Sequence, residues 1–222
     1  MEIGILTYNV AHKKTQDIFF SLLEKGEHSL TILTMPFKER KKRNITIQHR
    51  PNMFIGQSPE ELSQKYNVPV LQFTHENIKK IDKLDYVLIG GAGIIPDQLI
   101  ISKKIINCHC GLTPLVRGLD SLKWCVIKKN PIGNTLHFID ETVDNGPIIF
   151  QRKVKVYMND KFGNIAQRMY EDEIDLITNF DYYLKNMNSI ELDEADPTMR
   201  MPSIIEKTLT KELKVYLDQF SE

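Results

Sequence analysis

Short aliphatic runs alternate with helical stretches from residue 2 to residue 109, and that alternation leaves few folds open to the chain. Residues 2–8 (EIGILTY) predict a buried first strand, and residues 17–25 (DIFFSLLEK) a helix stopped by Gly26. Residues 29–35 (SLTILTM) predict a second strand. Residues 58–66 (SPEELSQKY) open with Ser, then Pro, then two acids, which is a well-formed helix start. A third strand at 68–73, a short helix at 76–81 and a fourth strand at 86–89 follow, the last running into Gly90-Gly91-Ala92-Gly93. A helical turn at 96–101 leads to a strand through 104–109. Strands that alternate with helices imply a parallel sheet joined by right-handed crossovers.

After His109 the pattern changes. Residues 121–129 read as a helix, and residues 134–139 and 147–156 as two strands close enough to pair. Ile165, Met169, Leu176, Ile177, Phe180 and Leu184 share one face of a single long helix over 162–184. Residues 186–202 are polar and carry Pro197 and Pro202, a linker in character. Ile205, Leu209, Leu213, Tyr216, Leu217 and Phe220 make a further apolar stripe in the tail. The fold class expected is α/β: a Rossmann-like, mostly parallel twisted sheet with helices on both faces, plus a short helical C-terminal extension. A stripe of six large side chains must be buried against something. With helices already assigned to the sheet faces, the reading favours a homodimer built through the tail.

Composition narrows the partners. Lys+Arg and Asp+Glu both number 29, so nothing global calls for nucleic acid or an anionic membrane. Cys108, Cys110 and Cys125 are too few and too close for a disulfide framework. No apolar run reaches the ~20 residues of a membrane helix, and the N-terminus lacks a signal-peptide pattern. The expectation is a cytoplasmic protein with no nucleic-acid or membrane partner.

The chemistry gathers between residues 105 and 146. Asn107 and His109 stand two apart on a predicted strand, so their side chains leave one face while Cys108 and Cys110 leave the other. Ligands of a Cys-His-Cys zinc cluster would have to converge, so no metal is expected. An amide and an imidazole at the carboxyl end of a parallel strand lie where open α/β sheets bind ligands. His109 can relay a proton near neutral pH, and Asn107 can donate to a carbonyl oxygen that gains charge. Asp144, in the turn Asp144-Asn145-Gly146-Pro147, is the candidate to orient the imidazole. On spacing alone such a strand-end His or Asn is more often structural than catalytic.

A resemblance sharpens this. Asn107-Cys108-His109-Cys110-Gly111-Leu112-Thr113-Pro114, then Arg117-Gly118 and Trp124, resembles the signature of the 10-formyltetrahydrofolate-dependent formyltransferases, Asn-x-His-x-Ser-Leu-Leu-Pro followed by Arg-Gly. Residues 133–140 (GNTLHFID) and 144–149 (DNGPII) resemble that family's Gly-x-Thr-Leu-His and Asp-x-Gly-x-Ile-Ile segments. Residues 91–96 (GAGIIP) resemble the loop that lines its folate pocket. The matches keep the family's order over roughly 88–154. The resemblance implies catalysis by Asn107, His109 and Asp144, direct formyl transfer from 10-formyltetrahydrofolate, and a folate site at Gly91, Ala92, Gly93, Ile94, Ile95, Asp140 and Val143. Gly111 and Thr113 depart from the usual Ser and second Leu, and Asn145 from the usual Thr or Gly, which bears on substrate fit rather than on the triad.

Three acceptors compete. Methionyl-tRNA formyltransferases carry a sizeable second domain, whereas about 70 residues follow Gly146, and a net charge of zero suits an RNA partner poorly. Glycinamide ribonucleotide formyltransferases hold phosphate on a Gly-rich loop after the first strand. Here that place is Tyr8-Asn9-Val10-Ala11-His12, without glycine. A nucleotide-linked amino sugar, such as a dideoxy-amino sugar of surface polysaccharide (O-antigen) biosynthesis, is therefore favoured, with Tyr8, Asn9, His49, Arg50, Arg117 and Trp124 as candidate contacts. The basic stretch 38–51 (KERKKRNITIQHRP) could clamp a diphosphate, Arg50 in bidentate fashion. Lys41 and Lys42 fit a solvated loop equally well, and Trp124 fits the core as well as a contact with the base. A glycinamide ribonucleotide-type enzyme, or a non-catalytic folate- or nucleotide-binding module, remains the alternative. The domain plan expected is a catalytic domain over 1–185 and a linker with helix over 186–222.

Overall fold

A computed structural model describes residues 1–39, 45–100, 104–140, 144, 146–187 and 196–222 of the protein. Arg40, Lys41, Lys42, Arg43, Val143 and Asn145 lie outside the described residues, as do residues 188–195 of the expected linker. The chain divides into two compact units, Met1–Lys41 with Asn52–Asn107, and Lys42–Pro51 with Cys108–Glu222. Residues 186–222 thus group with the second unit.

In the first unit, aliphatic alternation produces β1 (Glu2–Tyr8), β2 (Ser29–Met35), β3 (Val70–Gln72), β4 (Tyr86–Ile89) and the start of β5 (Ile105–His109). All pair in parallel, in the order β3-β2-β1-β4-β5. Ile3, Ile5, Leu6, Ile32 and Leu33 are fully buried, as continuous apolar strands require. The strand order reverses between β1 and β4, and such switch points open a ligand crevice at the carboxyl ends.

The first helix, α1 (Lys13–Lys25), begins four residues before the expected residue 17. Its opening turn buries polar groups rather than apolar ones: the Thr15 hydroxyl donates to Thr7 Oγ1 at 2.6 Å, and Lys14 is almost wholly covered. The apolar period starts only at Ile18, so it hides this turn. Helix α2 (Pro59–Tyr66) starts where the sequence places it. Ser58 Oγ accepts from the Glu61 N–H and Glu61 Oε2 from the Ser58 N–H, a complete capping box. A 3₁₀ turn at His75–Asn77 leads into α3 (Ile78–Ile81), and another 3₁₀ turn occupies Asp97–Leu99.

The second unit carries α4 (Ser121–Lys128), β6 (Gly133–Phe138) and β7 (Ile148–Lys153), the strands antiparallel as their spacing allows. A register shift between Leu136 and His137 breaks the ladder, the kind of irregularity that re-aims a side chain. The class is α/β with mostly parallel strands, as expected. The long helix expected over 162–184 is instead two, α5 (Phe162–Thr178) and α6 (Phe180–Lys185). Asn179 interrupts it. Its side-chain amide donates to the Asp175 carbonyl at 2.8 Å, so the amide competes for helix backbone.

The tail corrects another expectation. After α7 (Ser203–Glu206), the helix α8 (Leu209–Phe220) buries Leu209, Leu213, Tyr216 and Leu217 against Cys125, Val126 and Ile132 of the same unit. The Tyr216 hydroxyl donates to the Asn130 carbonyl at 2.9 Å, so even its polar tip is satisfied. The stripe docks in cis and gives no argument for a dimer.

Candidate active site

β5 delivers His109 at its last position, 6% exposed, and the turn before β7 delivers Asp144 with a left-handed backbone (φ 49°). Imidazole Nδ1 lies 3.1 Å from Asp144 Oδ2, which also accepts the Gly118 N–H at 3.1 Å. Burial lowers the His109 pKa, the Asp144 carboxylate opposing it only in part. The ring is therefore neutral near pH 7. With Nδ1–H donated to Asp144, Nε2 is left as a proton acceptor, 3.4 Å from Ser121 Oγ. The Ser121 hydroxyl has a better acceptor in the Gly118 carbonyl at 3.0 Å, so Nε2 keeps its lone pair. A Cβ at Gly111 would come within 2.7 Å of Nε2 and 2.5 Å of the Val116 carbonyl. Glycine here, in place of the usual Ser, leaves the room that this imidazole occupies.

His137, re-aimed by the register shift, presents Nε2 to Asp144 Oδ1 at 3.8 Å while its Nδ1–H donates to the Phe138 carbonyl at 2.8 Å. Burial drives its pKa down to about 4. Asp144 thus faces two neutral imidazoles, of which only His109 is within hydrogen-bond reach. His137 stands within residues 133–140 but carries no local sign of a place beside Asp144, because the bulge that turns it has none. Asn107, two residues before His109 on β5, is half-buried and belongs to the first unit.

A cavity of ≈ 270 Å³ opens in the second unit, lined among others by His49, Arg50, Cys110, Ser121 and Glu173. Two expected substrate contacts, His49 and Arg50, are therefore brought to it. Asn107 and His109 do not line it, but Cys110 does. Its thiol donates to Glu173 Oε2 at 3.2 Å. The Arg50 pKa is pushed up by Cys110 first, then by Glu173 and Asp144, with burial of the guanidinium opposing them. His49 falls to about 4, by burial first and by Lys123 next, so it is neutral. Its Nε2 lies 3.4 Å from Asp120 Oδ1, while its buried Nδ1 meets no partner among the described residues. Trp124 is held elsewhere: its indole N–H donates to the Met199 carbonyl at 2.7 Å, and the ring packs on the unit's core. Arg117 offers its carbonyl to the Thr198 N–H at 2.7 Å.

In the first unit, the expected contacts flank the switch point. The Tyr8 hydroxyl donates to the Ala92 carbonyl at 2.6 Å, and Asn9 Oδ1 accepts from the Phe37 N–H at 2.8 Å. Gly91 is buried beside the His12 and Tyr8 rings, where a Cβ would fall within 3.0 Å of both. Gly93 borders open space, Ile94 is 95% exposed and Ile95 is buried. Asp140 is half-buried in the second unit.

A neutral imidazole backed by a carboxylate, at the end of a parallel strand, is equipment for moving a proton during transfer to a nucleophile. Comparison narrows the class. The formyl transferase family model matches residues 16–179, and the chain belongs to that family. The dTDP-4-amino-4,6-dideoxyglucose formyltransferase of Mycobacterium bovis is 29% identical over 127 residues, which cover 57% of this chain and 53% of the relative. The chain spans about half the length of this relative. The formyltransferase PseJ from Anoxybacillus kamchatkensis, solved with UDP-4,6-dideoxy-4-formamido-L-AltNAc and tetrahydrofolate, superposes with a TM-score of 0.59 at 19% identity, covering 95% of this chain and 90% of that one. A phosphoribosylglycinamide formyltransferase from Anaplasma phagocytophilum gives 0.60 at 19% identity, covering 88% and 95%. Both structures share the fold. Among the described residues no helix is long and apolar enough to cross a membrane.

Proposed function

We propose that the protein moves a formyl group from 10-formyltetrahydrofolate to the amine of a nucleotide-linked amino sugar, such as a dideoxy-amino sugar of surface polysaccharide. The observation that carries this reading is the pairing of buried His109 with half-buried Asp144, which leaves the imidazole Nε2 neutral, proton-free and given room by Gly111. 10-Formyltetrahydrofolate supplies the formyl carbon. The loop 91–95 suits its pterin, since it lies at the switch point with an exposed Ile94 and open space at Gly93. His109 Nε2 takes the proton that the attacking amine loses and passes it to the departing folate nitrogen, while Asp144 holds the ring and steadies its transient charge. Asn107 donates to the formyl oxygen as charge builds there. His49 and Arg50 sit in a cavity wall with Ser121, the neighbour of His109, where an acceptor would be held.

The sugar reading draws on the mycobacterial relative and on the sugar nucleotide named with the Anoxybacillus structure. The glycinamide ribonucleotide reading lacks a glycine after β1, where Asn9 is already bonded to Phe37. Three free, buried cysteines fit a reducing compartment, and we place the reaction in the cytoplasm. The test is incubation with 10-formyltetrahydrofolate and dTDP- and UDP-linked 3-amino and 4-amino sugars, with glycinamide ribonucleotide in a parallel arm. Formylation of a nucleotide-linked sugar is expected. Turnover of glycinamide ribonucleotide alone would overturn the acceptor, and no turnover with any amine would overturn the activity.

A further inference from the structure

The chain from 197 to 202 is stitched along the loop that holds Gly118, Asp120 and Ser121. The Thr198 N–H donates to the Arg117 carbonyl at 2.7 Å, and the Leu119 N–H to the Thr198 carbonyl at 2.8 Å. The Thr198 hydroxyl reaches the Arg117 and Leu119 carbonyls, and the Met201 N–H donates to Asp120 Oδ2 at 2.9 Å. Gly118 (φ 91°) makes the approach possible, because a Cβ there would stand 2.6 Å from the Thr198 carbonyl oxygen. Backbone on both sides of Arg200 is thereby fixed, and Arg200 lines the same cavity as His49 and Arg50.

The charges of that wall can be followed one by one. Asp120 is occupied by the Met201 N–H and by His49. Glu173 accepts from the Cys110 thiol and supports Arg50. His49 is neutral. Arg200 is the cation left over: among the described residues its guanidinium has no ion pair or hydrogen bond. Arg200 is exposed, and with its backbone already pinned an anion that meets it has only the side chain left to order.

We infer that Arg200 is a specificity-determining residue that holds a phosphate oxygen of the nucleotide part of the acceptor. The inference rests on the sugar-nucleotide reading above, and it gives the C-terminal segment a part in substrate recognition rather than in packing alone. Phosphate suits it better than the sugar hydroxyls, which a guanidinium distinguishes poorly.

The experiment is calorimetric titration of the full chain with UDP and with dTDP, tetrahydrofolate present, for wild type, Arg200→Gln and Arg200→Lys. Uridine and thymidine serve as phosphate-free controls. Losing one charge-assisted contact should weaken diphosphate binding by roughly tenfold to a hundredfold in Arg200→Gln and less in Arg200→Lys. Nucleoside binding and melting temperature should not move. KM for the amino-sugar nucleotide should rise in parallel while kcat stays within about twofold. Unchanged diphosphate affinity in Arg200→Gln, an equal loss for the bare nucleosides, or no diphosphate binding by the wild type would each overturn the inference. Arg200-dependent diphosphate binding by a protein that formylates no sugar nucleotide would uphold the anion site and overturn the activity instead.

Discussion

The two compact units solve the problem of buried polarity differently. In the first, the buried polar groups are largely threonines, and Thr15 with Thr7 shows the pattern: hydroxyls on adjoining elements satisfy one another. In the second, the buried set includes Lys123, Glu206, His109, His137 and Glu173, groups that burial forces into pairs or into neutrality. Hydroxyl pairs lock a sheet to a helix and do little else. A buried imidazole beside a carboxylate is a proton acceptor, and its pKa is a product of the same packing that excludes water. The pairing of His109 with Asp144 therefore lies in the unit whose interior buries the larger set of ionisable groups.

The comparison would break most visibly at His109. His109→Ala and Asp144→Ala should each lower formyl transfer by about 10²–10⁴-fold with the circular dichroism spectrum unchanged. Turnover near wild type in either would return this pair to a structural role. Next in size is the ion pair between Lys123 and Glu206, 1% and 0% exposed, with the Thr46 N–H also directed at Glu206 Oε2 at 3.5 Å. Removing one partner strands the other charge, and Glu206→Ala should cost about 3–5 kcal/mol in urea unfolding. Lys123→Met with Glu206→Leu should recover most of that loss. A double variant no better than the single one would show that the pair does more than neutralise itself.

This contrast also explains what the sequence could and could not disclose. β1, β2, β4 and α2 were legible because period and capping are local: Ser58 and Glu61 sit three residues apart. His109 and Asp144 were legible through resemblance, since a separation of 35 residues erases any local sign that they meet. Arg200 and Glu173 carried no signal at all, because their roles depend on a loop passing Gly118 and on where α5 places its fourth turn. The break at Asn179 hid behind a continuous apolar stripe, and the early start of α1 behind Lys14 and Thr15. Where burial is polar, hydrophobic periodicity goes silent.

A gentler probe of the same contrast is acid. His137 is buried with its pKa lowered from 6.5 to about 4. A depressed pKa means that the unfolded chain takes up the proton first, so stability is fully present above pH 6.5 and falls as pH drops toward 4. The shift corresponds to at most about 3 kcal/mol. Urea titrations at pH 7 and pH 4.5 should show this slope in wild type, and His137→Asn should flatten it. An equally steep loss in the variant would move the acid sensitivity to His109, to His49 or to the carboxylates.

The smallest expected effect belongs to the first unit and tests its local character. The capping box at Ser58 joins two residues of the first unit three apart, Ser58 half-buried and Glu61 exposed. Ser58→Ala removes the acceptor for the Glu61 N–H but keeps the Ser58 N–H, whose bond to the Glu61 carboxylate is the first cause of that group's lowered pKa. Helix caps of this kind are worth about 1 kcal/mol. The variant should therefore unfold at slightly lower urea with formyl transfer and nucleotide binding intact. Hydrogen exchange should quicken across Pro59–Tyr66 and leave the amides of α8 at their wild-type rate. If α8 loosens as well, the units are not independent in stability, and the contrast between a locally determined unit and a pair-determined one fails.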